Sequence, residues 1–326
     1  MRRLQRAGAL APPSIGNFGP GLDVLGCAVD GAPDVVIAEV NGTDGRVCIL
    51  ESGHPELPTD PELHASAIAG SAVLREIRAL GADCSRDIPG VGLRVRKGLP
   101  LAAGQGGSAA SAVAGAVAVN ALLGAPLGEL ALLRCALEAE SRVAGRHLDN
   151  IAPALLGGLV LIRSLDPIEV VRLPTPGSLY IILAEPKQRL RTVEARAVLP
   201  ERVDRAVAMH QAAQVASIVA ALYAGDIELL GRSIDDRIAE PARAPLMPGF
   251  VAAKAAAIAA GALGVSISGA GPTSFAIAAN ADIAERVSEA MRSSYERAGI
   301  AATTWVTRPG PGSRTFDPDL PLPRAE

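Results

Sequence analysis

The stretch of this sequence best suited to chemistry is Gly104-Gln105-Gly106-Gly107-Ser108, which leads directly into the apolar run Ala109–Leu123. Glycines let backbone N–H groups reach phosphate oxygens with no Cβ in the way. A helix that starts there adds its unpaired N–H groups and the positive end of its dipole. Ser108 has two uses, capping that helix or offering its hydroxyl to Mg²⁺. No lysine follows the glycines, which excludes a Walker P-loop. Gly104, Gly106 and Ala109 do have dinucleotide-fingerprint spacing. The residues ~20 positions further on enter another helix, however, rather than a strand with an acidic end. On the local pattern alone, a plain glycine-rich turn competes equally with a phosphate site.

The elements that must hold this loop are legible from periodicity. Asp34–Val40 alternates as a half-buried strand, and 92–96 reads as another. A helix is expected over Ala65–Leu80. Ala109–Leu123 is apolar on nearly every face, which marks a central, buried helix. Leu127–Val143 reads as a helix ending at Gly145, with a polar turn at 146–150. Strands are expected at 158–163 and Leu179–Ala184. Residues 190–224, 226–238 and Leu246–Gly261 read as helical, and Asp282–Ala298 as an amphipathic helix. Val265–Ala278 places a second glycine-rich turn between strand-like pieces. The Pro-rich tail 308–326 is expected to be poorly ordered. A domain division near 165 separates 1–165 from 166–307.

Composition limits the function classes. Hydrophobic residues form 49% of the 326 and charged residues 20%, as in a globular protein with a real core. Aromatics are only 2%, so that core is built from Ala, Val, Leu and Ile. A net charge of -3 argues against nucleic acid or an anionic membrane as the main partner. No signal-like run opens the chain, and the longest apolar stretches read as broken by Gly, Pro or charge, so no membrane span is expected. Cys27, Cys48, Cys84 and Cys135 are scattered singly, which fits a reducing cytoplasm rather than a zinc site.

The run Pro100–Asn120 resembles the second motif of the GHMP kinase superfamily, with Pro100, Gly104, Gly106, Ser108 and Ala109 on the pattern. Gln105 stands where that motif has Leu, and Gly107 where it has the first Ser. Ala11–Gly26 resembles the first motif in its homoserine kinase form. The turn Ser268-Gly269-Ala270-Gly271-Pro272-Thr273 resembles the third. His147-Leu148-Asp149-Asn150, followed by Ile151–Gly158, resembles a segment characteristic of the homoserine kinase family. The motifs keep the family's order from about residue 8 to 300.

This resemblance implies an α+β fold of two domains. The N-terminal one would be like ribosomal protein S5 domain 2 and the C-terminal one ferredoxin-like, with ATP and acceptor between them. It implies transfer of the ATP γ-phosphoryl group to the side-chain hydroxyl of L-homoserine, with Mg²⁺. By the same resemblance, Pro100, Gly104, Gln105, Gly106, Gly107, Ser108, Ala109, Ser268, Gly269 and Gly271 bind ATP. Ser108 and Glu140 hold Mg²⁺, with Glu138 the alternative carboxylate. Asn17, Asp23, His147, Arg196 and Arg243 bind homoserine, and Asn150 meets its hydroxyl. Asp149 is structural. A homodimer is the usual family assembly. The family places an Asn near Leu63–His64, at the adenine pocket, and this sequence has none there. Taken one at a time, these residues read as an Asx turn, a satisfied histidine, a solvated carboxylate or surface arginines. A different GHMP kinase and a ligand-binding homologue with a decayed site are the rival readings.

Overall fold

The computed structural model describes residues 4–81 and 88–320; Cys84 and the last six residues of the tail lie outside that range. A five-stranded sheet in the order β13-β1-β4-β6-β5 lies on the N-terminal side. It contains β1 (Arg6–Ala11), β4 (Asp34–Val40), β5 (Val47–Glu51), β6 (Val91–Arg96) and β13 (Arg314–Phe316). Helices α1 (Ala65–Ala79), α2 (Gly107–Leu122), α3 (Glu129–Val143) and the short α4 (Ile151–Leu156) join it in one core. Helix α2 is buried on almost every side because Ala, Val and Gly make up twelve of its 16 residues and none is charged. Small side chains let the sheet and two helices approach it closely, which suits a core with few aromatics.

A second sheet, β2-β3-β7-β8, comprises β2 (Ser14–Gly16), β3 (Leu25–Ala28), β7 (Leu159–Leu165) and β8 (Ile168–Leu173). The third, β10-β11-β9-β12, comprises β9 (Tyr180–Pro186), β10 (Gly264–Ile267), β11 (Ser274–Ala278) and β12 (Ala302–Thr307). Helices α9 (Phe250–Ala259) and α10 (Ala281–Arg297) pack against it. The second and third sheets share one core. Phe18, Leu25 and Leu159 meet Leu183, Ile218 and Phe275 there. Phe18 and Phe275 stack with ring centroids 5.1 Å apart. The two halves are thus joined by apolar contact.

Several expectations are corrected. Residues 190–224 are not one helix but α5 (Thr192–Ala197) and α6 (Arg205–Ala224). Pro200 lies between them and cannot donate a helical hydrogen bond. Residues 226–238 hold only α7 (Ile227–Arg232), because Asp236 accepts from the N–H groups of Ile238, Ala239 and Glu240 and so caps α8 (Ala239–Arg243). The expected helix from Leu246 starts at Phe250, after Gly249 at φ 84°. Position 165 lies at the end of β7, at the turn of the β7–β8 hairpin. The tail is anchored rather than loose over its described part. β13 pairs with β1, and the Phe316 ring lies over Gly8, where a Cβ would come within 2.4 Å of it. The apolar run of α6 contains no Gly, Pro or charged residue after Arg205, contrary to the sequence reading. At 20 residues it is long and apolar enough to cross a membrane. Its Gln211, Ile218, Ala221 and Leu222 are packed inside the fold.

Candidate active site

One cleft of about 310 Å³ opens between the two halves. Its floor is the glycine-rich loop. Gly104 (φ 80°) and Gly106 (φ 69°) occupy the left-handed region. A Cβ on Gly104 would stand 2.6 Å from the Gly271 carbonyl oxygen, and one on Gly106 would stand 2.2 Å from Ser14 Oγ. Both glycines are therefore required by backbone angle and by close approach. The second glycine-rich turn, at Ser268–Thr273, locks the loop from the other half. Ser268 Oγ donates to the Gly104 carbonyl at 2.7 Å, and the Thr273 N–H donates to Ala103 at 3.1 Å.

Helix α2 begins at Gly107 with no side-chain cap. Ser108 does not cap it; its hydroxyl donates to Glu140 Oε1 at 3.1 Å. Glu140 is 2% exposed, and its Oε2 has no partner among the described residues. Burial pushes the Glu140 pKa up, with His147 and Ser108 acting against it. Glu138 lies away from the cleft, paired with Arg75 and Arg142. A serine hydroxyl and a carboxylate with one free oxygen fit a hard cation such as Mg²⁺, which keeps most of its own waters.

Beside this pair lies a charged pocket. His147 Nδ1 is 3.1 Å from Asp149 Oδ1, without the alignment of a hydrogen bond, and 4.0 Å from Glu140 Oε1. Burial alone would lower the His147 pKa, but the two carboxylates raise it overall. Burial works to raise that of Asp149, and His147, Arg196 and the Asn17 N–H hold it below the usual range. Asp149 Oδ2 accepts the Asn17 N–H at 2.9 Å. Asn17 spends its amide on Gly269 O (2.7 Å) and on the Asp23 N–H (3.1 Å). Asn150 Oδ1 accepts from Ser14 Oγ at 3.0 Å. Arg196 pairs with both oxygens of Asp23, at 2.6 and 3.3 Å. Arg243 is 2% exposed and donates to Gly269 O at 2.9 Å and Ala195 O at 3.1 Å.

Of the residues the sequence singled out, Asn17, Pro100, Gly104, Gly106, Gly107, Ser108, Glu140, His147, Asn150, Arg196, Arg243, Gly269 and Gly271 line the cleft. Four do not. Ala109 is fully buried in the α2 core. Ser268 turns its hydroxyl to Gly104. Asp23 stands just outside the lining, its carboxylate held by Arg196, which does line the cleft. Gln105 points away and donates to Glu185 Oε2 at 2.8 Å, a carboxyl whose pKa is raised by burial and lowered by this bond.

The chain compares with known proteins as follows. Residues 67–158 match the GHMP kinases N terminal domain, and 218–297 match the GHMP kinases C terminal domain. A homoserine kinase of Chlorobium phaeobacteroides (strain BS1) is 38% identical over 306 residues, covering 91% of this chain and 95% of its own length. One of Arabidopsis thaliana is 40% identical over 296 residues, covering 89% and 78%. A homoserine kinase from Cytophaga hutchinsonii, solved as a crystal structure, superposes with a TM-score of 0.89 at 37% identity over 97% of this chain and 99% of that one. The chain belongs to the homoserine kinase family of the GHMP kinases. A mevalonate kinase of L. major shares the fold at 17% identity and a TM-score of 0.69.

For a member of this family, sequence reading missed part of the cleft. Leu57, Pro58 and Leu63 form an apolar wall from the 41–63 segment, which carries no motif. His64 occupies the neighbourhood of the missing Asn. It caps α1 by accepting the Ser66 N–H at 3.3 Å, and its Nε2 lies 3.2 Å from Ser52 O. Lys97 and Ser111 also face the cleft. The available signal for Lys97 was composition, as only three of the 31 basic residues are lysine and this one directly precedes the loop.

Proposed function

We propose that this chain transfers the γ-phosphoryl group of ATP to the side-chain hydroxyl of L-homoserine, giving O-phospho-L-homoserine and ADP. The convergence of Ser108, Asn150 and Arg196 on one cleft carries this reading. The Gly104–Ser108 loop and the first turn of α2 bind the phosphates through backbone N–H groups. Ser108 and Glu140 would hold Mg²⁺, which when bound neutralises triphosphate charge. Arg243 and Arg196 take the amino-acid carboxylate with guanidinium forks, and Asp23 takes the ammonium. The Arg196–Asp23 pair is thereby divided between the two ends of one zwitterion. Asn150 orients the hydroxyl, whose proton passes to a phosphoryl oxygen as the new O–P bond forms and the bond to ADP breaks. Phosphoryl transfer of this kind is driven by positioning and charge neutralisation more than by a strong base. Among the described residues Cys27, Cys48 and Cys135 are free thiols, which supports a reducing, cytoplasmic setting.

The test is a coupled ADP-release assay with homoserine, threonine and mevalonate, with the product identified by mass. Turnover with homoserine far above the others is expected. Preference for mevalonate would transfer the chain to another GHMP activity. Binding of ATP without turnover of any acceptor would make it a decayed homologue.

A further inference from the structure

Lys97 has no part in the chemistry above, yet it is one of the most tightly held side chains near the cleft. It follows β6 and begins the run into the phosphate loop. Its side chain is 6% exposed and that of Asp34 is fully buried. Its ammonium donates to the Asp34 carboxylate, to Ser111 Oγ at 3.0 Å and to the Gly107 carbonyl at 3.0 Å. Asp34 is equally committed. Its Oδ2 accepts from Ser111 Oγ at 2.6 Å, and its Oδ1 accepts the N–H groups of Gly98 at 3.1 Å and Leu99 at 3.2 Å. An ammonium has three protons, and here three oxygens take them. Its charge is cancelled locally, so it adds little attraction for a nucleotide.

The Gly107 carbonyl gives this cluster a purpose. Gly107 is the first residue of α2, the point where unpaired N–H groups turn toward the cleft. Nothing steric calls for glycine there. Its φ is not positive, and an added Cβ would lie 3.6 Å from Lys97 Nζ, 3.6 Å from Pro100 O and 3.8 Å from Leu99 Cβ, all ordinary contacts. Glycine at this site brings backbone freedom the fold does not need, in the one segment that must be rigid to bind an anion well. We propose that Lys97, fixed by Asp34 and Ser111, is a positioning residue of the phosphate loop. It clamps the Gly107 carbonyl and holds the first-turn N–H groups in the arrangement that nucleotide binding requires.

The test uses the full-length protein and the double variant Asp34→Asn/Lys97→Met, which removes both charges together and leaves no lone buried carboxylate. ATP affinity by calorimetry, without acceptor, is expected to weaken about tenfold, with KM for ATP following it, while kcat and KM for homoserine stay within about twofold. Gly107→Ala in that background is expected to recover about threefold in ATP affinity, because it supplies part of the missing rigidity. Ser111→Ala, a milder change that keeps the ion pair, is expected to weaken ATP binding about twofold to threefold. A lower melting temperature with unchanged ATP affinity in both Ser111→Ala and the double variant would make the cluster a core brace only. Equal loss with Gly107 or Ala at position 107 would instead make Lys97 a direct phosphate contact. The calorimetry does not depend on the acceptor, so wrong assignment of homoserine would leave this result interpretable.

Discussion

Replacing Glu140 by Gln separates activity from stability and tests the metal assignment. The buried carboxylate receives Ser108 Oγ at 3.1 Å on Oε1, while Oε2 is unpartnered among the described residues. Gln keeps the shape and the Oε1 acceptor and removes the charge. Burial holds the folded-state pKa of Glu140 above its unfolded value. Such a group favours the fold below the unfolded pKa and loses that contribution as pH rises through the folded one. At neutral pH the ionised carboxylate therefore costs stability, and E140Q should melt no lower than wild type, the difference closing as the pH falls into the carboxylate range. Activity should move the opposite way. Losing one buried carboxylate ligand from a divalent cation costs about 2–4 kcal/mol, which weakens apparent Mg²⁺ affinity by ~30- to 1000-fold. The assay is Mg²⁺ titration of ADP release at saturating ATP and homoserine, run beside thermal melts. Glu138→Gln is the control. Its carboxylate pairs with Arg142 at 3.1 Å and with Arg75 on the outer face, so its effect should stay within about twofold. Wild-type Mg²⁺ half-saturation in E140Q, or an equal loss in E138Q, would refute the reasoning.

Arg196→Lys keeps the charge but loses the fork that spans Asp23, so KM for homoserine should rise about tenfold or more while KM for ATP moves less than about twofold; steady-state kinetics with each substrate varied decides it. Gln105→Leu restores the family residue but leaves the half-buried Glu185 carboxylate without its donor. It should cost about 1 kcal/mol at neutral pH, and the cost should shrink as falling pH protonates Glu185, as thermal melts over a pH series will read. Phe316→Ala removes the ring over Gly8 and should cost about 1–2 kcal/mol in denaturant unfolding, where a loose tail would show no change.

Much of the site is legible in sequence because motif spacing reflects local backbone demands. Gly104 and Gly106 sit where left-handed angles and close packing exclude a side chain, and Gly269 and Gly271 serve the facing turn. The buried α2 follows from a run with almost nothing to expose. The strand Asp34–Val40 follows from alternation. These features depend on residues near in sequence, whose geometry is set by φ, ψ and period.

Other features depend on residues far apart in the chain, and only the folded chain decides them. Glu140 rather than Glu138 faces Ser108 because α3 turns one side to α2 and the other to Arg75 and Arg142. Arg196 meets Asp23 across 173 positions, and Gln105 leaves the cleft for Glu185 across 80. Lys97 is marked in sequence only as a rare lysine before the loop, and its partners Asp34 and Ser111 meet it only in the fold. The tail is polar and rich in proline, which alone reads as loose, yet β1 offers it an open edge and Gly8 a place for its phenylalanine. Sequence determines which side chains and backbone angles are on offer. Which carboxylate is buried, which cation is spent and which edge is covered follow from packing, because desolvation and pairing depend on neighbours that only the fold brings together.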